Sequence, residues 1–508
     1  MKSKILFLVA LLAATTWLGA GDDSLRNYYA TRNLTLDEAV LIALQQNPDI
    51  LRALQNIQRT RGLVIEVRSQ ALPQISAIGV YNQQDKRLLR DFGGGGVSSG
   101  AQTSPTPATS GTTAATGETT TTSSSSGQAV ATSFGQQDKS WQVMIQGRQV
   151  IYSGALGPAI RLAKFAQDSA YWSLRDTIDT VIATTRRQFY DVLLDRELIK
   201  VQQESVELLG SQLKDQQNRF EAGTVPRFNT LQAEVALANA QPALIAARNN
   251  YLVAQLTLAK TLGLGASKDH PGAAPINAVG NLDVEARDFD IPAALETAHA
   301  RRPFLKVQRL QILQEVEDVK VQFAGFQPTI SVNGGYEFRN SRSTTALDEV
   351  VDGWFFGATG SWNIWDSGGT YGRIKEARAK LETAKTTYED SQHQVDLEVQ
   401  QAVLNLRQAR ETLASQQKTV QQALEAERLA RERLSAGAGV QLDVLNAQVQ
   451  LTQARSTELQ ARHDYKAAFA EFERVTATAT QYEETFNDPL TRRQQRAAER
   501  DASIRIKK

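Results

Sequence analysis

Four histidines, His270, His299, His393 and His463, are the only imidazoles in the chain, and cysteine is absent. Histidine and cysteine are the side chains that bind transition metals and that transfer protons or attack substrates near neutral pH. The four histidines are scattered and form no ligand spacing. The lack of cysteine excludes disulfides, thiolate metal sites, thiol nucleophiles and a lipid-bearing N-terminal cysteine. The glycine run Gly93–Gly96 has no Gly-Lys-Ser/Thr after it, so it is not a phosphate loop. Asp91-Phe92-Gly93 matches a kinase triplet, with no other kinase element in the chain. Aspartate and glutamate are plentiful, but on polar helices they pair with basic residues one turn away and stabilise the helix surface. The expectation is therefore a protein that is not an enzyme and holds no metal and no cofactor.

The elements that would have to position any site are unusual. The chain has 508 residues and 13 prolines, with none between Pro158 and Pro226 and none between Pro328 and Pro489. Such stretches predict very long helices. Lys+Arg is 56 and Asp+Glu is 55, a net charge of +1, so no nucleic acid partner is expected. Lys2 and Lys4 precede an apolar run from Ile5 to Ala14 and then small residues around Gly19–Gly21. That pattern predicts a signal peptide over about 1–20 and export from the cytoplasm. The basic tail, 476–508, reads as a solvated extension.

The chain repeats itself. Leu36–Pro48 lies on Ile291–Pro303 at an offset of 255, which also pairs Pro73 with Pro328, Ile75 with Ile330 and Tyr81 with Tyr336. Further on, the offset becomes 214. It pairs Gly154 with Gly368, Val181 with Val395, Arg219 with Arg433, Gly223 with Gly437, Leu231 with Leu445 and Tyr251 with Tyr465. A register held over about 100 residues indicates a duplication. The change of offset places one insertion between Tyr81 and Gly154, where Gly, Ser and Thr dominate. This composition predicts a disordered loop over about 84–138.

Each copy reads helix, strand, strand, helix, helix. The first covers 34–262, with strands near 74–82 and 140–152 and long helices near 156–222 and 228–262. A linker, 263–290, follows. The second covers 291–475, with strands near 329–340 and 353–365 and helices near 370–436 and 442–475. Pro48 and Pro303 are placed to start helices, and Pro242 inside a helix predicts a kink. The strands alternate: Ile330, Val332, Tyr336 and Phe338 oppose Ser331, Asn333, Glu337 and Arg339. Trp141, Val143 and Ile145 likewise oppose Gln142, Gln146 and Arg148. Strands with an apolar face, a polar face and aromatic ends fit a membrane barrel. Four strands are too few to close one, since the smallest bacterial barrels have about eight, and an open edge does not face lipid. The chain must oligomerise if these strands enter a membrane.

Both long helices end at a glycine within a repeated motif. Arg219-Phe-Glu-Ala-Gly-Thr-Val-Pro-Arg-Phe-Asn-Thr-Leu-Gln-Ala-Glu-Val-Ala-Leu237 is matched by Arg433-Leu-Ser-Ala-Gly-Ala-Gly-Val-Gln-Leu-Asp-Val-Leu-Asn-Ala-Gln-Val-Gln-Leu451. With these two motifs at this spacing, the sequence resembles the TolC-like outer-membrane efflux protein family over roughly 34–475. The resemblance implies a mainly α fold with a membrane β-barrel: a homotrimer whose twelve-stranded barrel continues as a long α-helical coiled-coil tunnel in the periplasm. It implies an exit duct for small molecules or proteins, working with a periplasmic adaptor (membrane fusion) protein and an inner-membrane transporter, and seated in outer-membrane lipid. A trimeric surface-anchored coiled-coil adhesion or structural protein is the alternative, and it leaves the duplication unexplained.

The resemblance also implies sites. The adaptor-docking tips would be Gly223, Thr224 and Val225 together with Gly437, Ala438 and Gly439. The pore constriction would lie at Asp443 and Asn446, with Asn229 at the matching place in the first copy. Three aspartates converging on a pore axis would repel one another and select cations. Gly439 and Leu434 stand where relatives carry a gate arginine and a tyrosine, which points to a gate without the charged lock.

Overall fold

The computed structural model describes residues 33–83, 139–264, 276–285, 287–340, 347 and 349–479. The expected signal peptide, the loop over 84–138 and nearly all of the tail lie outside the described residues. The chain divides into two compact units, one of residues 66–157 and 323–370, the other of the remainder.

In chain order, β1 (Asn33–Leu34), α1 (Leu36–Gln46), α2 (Pro48–Ser69), β2 (Gln74–Gln83), β3 (Lys139–Ser153), α3 (Leu156–Glu221) and α4 (Arg227–Thr261) form the first copy. The linker strand β4 (Asn277–Ala278) follows. The second copy has α5 (Ile291–Arg301), α6 (Pro303–Phe323), β5 (Thr329–Asn340), β6 (Val350–Ser361), α7 (Gly369–Ser435) and α8 (Gln441–Val475).

Local chemistry accounts for many of these boundaries. Thr35 caps α1 in a reciprocal box with Glu38. Pro48 and Pro303 begin α2 and α6, where a missing N–H costs nothing. Asn47 accepts from the amide of Asp49 at 2.8 Å and donates to the Thr261 carbonyl at 2.7 Å, fastening the start of α2 to the end of α4. The helix α4 continues past Pro242; the position is exposed, so water can take the carbonyl that proline leaves unpaired.

The smaller unit is built on a four-stranded antiparallel sheet in the order β2-β3-β5-β6. Directly paired residues share a face. The register therefore puts Ala77, Ile145, Tyr336 and Trp354 in one row, and Tyr81, Trp141, Val143 and Phe338 on the same side. Ile75 and Trp354 on this face are each 80% exposed. The other face carries Gln74, Ser76, Gln146, Arg148, Asn333 and Glu337. Strand β6 ends at Ser361, short of the expected 365. Beyond it, the Trp362 indole donates to the Phe326 carbonyl at 3.0 Å, and Asp366 accepts from the amide of Gly368 at 3.2 Å. These contacts draw the chain into a turn before α7. The outer strands β2 and β6 each have a partner on one side only, so the sheet is open.

The larger unit has two apolar cores, one per copy. The first gathers Ala39, Ala43, Ile50, Val181, Phe189, Val192 and Leu258. The second gathers Ala294, Ala298, Leu305, Val395, Val403, Leu406 and Phe472. Members of the two sets correspond one to one at the offsets of 255 and 214. A charged cluster borders the second core. Arg302, 5% exposed, donates to Glu398, which also lies 3.8 Å from Arg474. Burial pushes the nearby Asp176 carboxyl up despite the attraction of Arg302 and Arg474.

Gly335 sits where a Cβ would lie 2.2 Å from the Ile145 carbonyl oxygen and 3.0 Å from the Phe355 ring. Gly353, in the neighbouring strand, has open space. Gly335→Ala should lower the melting temperature of the detergent-solubilised protein, at a cost of about 1–3 kcal/mol. Gly353→Ala should not, and thermal unfolding of the two variants by circular dichroism checks the contrast.

Candidate functional site

The site is formed by the ends of α3 and α7 and the starts of α4 and α8. Gly223 and Gly437 take φ of 70° and 75°, the left-handed conformation glycine adopts without strain. The amide of Gly223 donates to the Phe220 carbonyl and that of Thr224 to Arg219, both at 2.9 Å. In the second copy, Gly437 donates to Leu434 at 3.1 Å and Ala438 to Arg433 at 2.9 Å. This is the paired bonding of a Schellman cap, formed twice. Thr224 adds a hydroxyl bond to the Arg219 carbonyl at 2.9 Å. The chain then turns at Pro226 in one copy and Val440 in the other, and neither side chain caps the next helix.

Asn229 and Asp443 occupy the same place, the third residue of α4 and of α8. A carboxylate there faces the positive end of the helix dipole, so Asp443 is favoured by its own helix. Asp443 and Asn446 are both exposed and lie one turn apart on one face of α8. Asn229 is half-buried. It lines a cleft of about 420 Å³ with Gln216, Arg219, Phe228, Gln232, Leu434, Gly439 and Leu442. The cleft brings Asn229, Val225 and Gly439 together and leaves Asp443 and Asn446 outside it.

The surroundings of this cleft were missed by sequence reasoning. The repeat itself carried the signal, since Phe228 matches Leu442 and Gln232 matches Asn446 at the offset of 214. The electrostatics are local. Arg219 pairs with Asp215 at 3.0 Å, and Arg428 bridges Glu425 and Glu432 at 2.5 Å each, all within one helix. The Arg428 guanidinium bonded to Glu425 holds that carboxyl below its usual range. Among the described residues, the ion pairs of 211–234 and 425–450 close within a single helix. The cleft is lined by Phe228, Leu434, Val440 and Leu442 and by amide side chains, with Arg219 as its one ionisable side chain. The interior at this end is also polar, with Gln216, Glu427, Gln441 and Gln448 buried.

A second groove, of about 590 Å³, runs between α7 and α8 and is lined by Gln416, Thr419, Gln422, Ala426, Val449, Gln453 and Thr457, with no ionisable side chain. Among the described residues, no group of three or more His, Asp or Glu side chains is arranged to hold a metal ion. No described helix is long and apolar enough to cross a membrane.

Known proteins share this architecture. The outer membrane channel CmeC of Campylobacter jejuni superposes with a TM-score of 0.69 at 17% identity, covering 90% of this chain and 88% of its own. The outer membrane protein VceC of Vibrio cholerae gives 0.66 at 14% identity, covering 87% and 95%. In sequence, the toxin and drug export protein A of Aggregatibacter actinomycetemcomitans is 22% identical over 61% of this chain and 69% of its own length. The outer membrane efflux protein BepC of Brucella suis is 23% identical over 58% of this chain and 63% of its own. The family model for outer membrane efflux proteins matches residues 40–264 and 294–478, both copies of the repeat. By that match, the chain belongs to the outer membrane efflux protein family.

Proposed function

We propose that this outer-membrane efflux channel works as a homotrimer, as the exit duct of a tripartite efflux or secretion system. The observation that carries the proposal is the open four-stranded sheet with one exposed apolar face. Backbone groups at its edges cannot remain unpaired in hydrocarbon. Three copies would join β2 of one chain to β6 of the next and close a barrel of twelve strands. The face bearing Ile75, Tyr81, Ile145 and Trp354 would meet lipid, and the face bearing Gln146, Arg148 and Glu337 would line the lumen.

The helical unit then supplies the periplasmic tunnel. The turns Gly223-Thr224-Val225 and Gly437-Ala438-Gly439 are exposed apart from Val225 and Gly439, which suits docking by a periplasmic adaptor of an inner-membrane pump. Asp443 would face the axis in triplicate with Asn446, beside Asn229. Apolar and amide contacts, rather than cross-cleft ion pairs, would hold the closed state. Parting the helix ends at this cleft would break none of the tip ion pairs, which lie within single helices, and the buried glutamines would be rehydrated, so an adaptor would have little to overcome there. The Aggregatibacter relative is named for toxin and drug export, which supports proteins or small molecules as cargo. The duct itself would be passive, with the energy supplied by the pump.

Native mass spectrometry of the protein extracted from outer membranes tests the assembly. A trimer is expected, and a monomer would refute the shared barrel. Gly437→Pro forces φ to about −65° and removes the amide bonded to Leu434. It should abolish export while the trimer persists; export at the wild-type level would remove the tip from the docking model. Asp443→Ala should weaken cation selectivity and block by multivalent cations in planar bilayers. Unchanged reversal potentials would place Asp443 off the conduction path.

A further inference from the structure

A strip of polar contacts ties α3 to α8, joining the two copies. Arg186 pairs with Glu473, Arg455 with Glu204 at 3.1 Å, and the Thr452 hydroxyl lies 3.5 Å from that of Ser205. Between these lies His463, 8% exposed. Its Nε2 is 2.6 Å from the Asp191 carboxylate on α3, and its Nδ1 is 3.0 Å from that of Asp464 on α8. Of the side-chain types in this strip, only imidazole ordinarily changes charge near neutral pH. With both nitrogens protonated, His463 donates to both carboxylates. With one proton, it can donate to one, and a ring lone pair must face the other.

The duplication supplies an internal comparison. At the offset of 214, His463 corresponds to Asn249 and Asp191 to Asn405, both exposed amides. Only one of the two equivalent places carries an ionisable pair.

We propose that Asp191, His463 and Asp464 form a proton-operated clasp between α3 and α8. It is tightest while the imidazole is doubly protonated and is weakened when the second proton leaves. The consequence for opening rests on the duct reading above, but the clasp itself does not.

Burial is the largest influence on His463 and disfavours its charged form; bonds to Asp191 and Asp464 outweigh it and raise the pKa above the ordinary value. A raised folded pKa contributes stability that is complete below the unfolded value, near 6.5, and is lost as pH rises through the folded value. Asp195, on α3, is pushed up by burial and by the Asp191 charge, against the pull of His463. It therefore contributes with the same sign. The other nearby charges have their own partners. Arg462 bonds Glu458 at 2.7 Å and lies 3.6 Å from Asp283 of the linker, while Lys466 sits 5.4 Å from the Tyr190 ring centre. Gln460 adds a neutral amide, 3.5 Å from Nδ1.

The absence of cysteine makes the test direct. Spin labels at Gln203→Cys and Gln453→Cys, both exposed, report the α3–α8 distance in the full-length protein, diluted with unlabelled chain. A single short distance is expected near pH 6, with a longer population growing reversibly toward pH 8.5. His463→Asn, which copies Asn249, should abolish the pH response, and Asp464→Asn should move its midpoint to lower pH. A distance independent of pH, or the same response in His463→Asn, would overturn the clasp. Conductance of the same preparation separates the two ideas. Channels that conduct with a flat distance profile refute only the clasp, whereas no channels at all refute the duct and leave the distance test standing.

Discussion

A peptide group stripped of water must find a partner, and this chain's sheet leaves two rows of them unpaired. The strands β2 and β6 are neighboured on one side only, while the sheet turns a broad apolar face outward. In water the edges would be tolerable and the face costly. In lipid the face is favourable and the edges are not. Both demands are met when copies of the sheet share their edges. A single chain carries an open sheet with one apolar face.

The helical unit solves a different problem. Helices of 66 and 67 residues, about 100 Å each, cannot bury a full face in one compact core. The duplication gives each copy its own apolar cluster, built from matched positions such as Ala39 with Ala294 and Leu258 with Phe472. The ends of the return helices show how far the match extends. Gly263 adopts φ of 74°, and a Cβ there would lie 2.3 Å from the Gln46 carbonyl oxygen. Its counterpart Ala477 takes the same left-handed turn at φ of 52°. The backbone geometry is conserved between copies even where the residue that makes it easy is not.

The copies diverge at particular matched positions. Arg302 replaces Asn47, exchanging one bond to a helix end for a buried ion network. His463 and Asp191 replace two asparagines. At the tips the divergence is milder: Phe228 against Leu442, Asn229 against Asp443. There the buried side chains are glutamines as well as aliphatics, so less free energy holds the helices together than in the two apolar cores.

Periodicity, proline positions and the two offsets determined the helices, the strands and their two faces, because these depend on neighbours within a few residues. The glycines after Glu221 and Ser435 marked the turns for the same reason, since a positive φ is a local demand. Other features lay beyond local rules. The end of β6 was set by Trp362 reaching the Phe326 carbonyl. The order β2-β3-β5-β6 joins the copies through β3 and β5, which no spacing within either copy specifies. The cleft at Asn229 and the contact of His463 with Asp191, 272 residues away, arise only when separate helices pack side by side. Sequence records which face of each helix is buried; which helix it is buried against was decided by the tertiary fold.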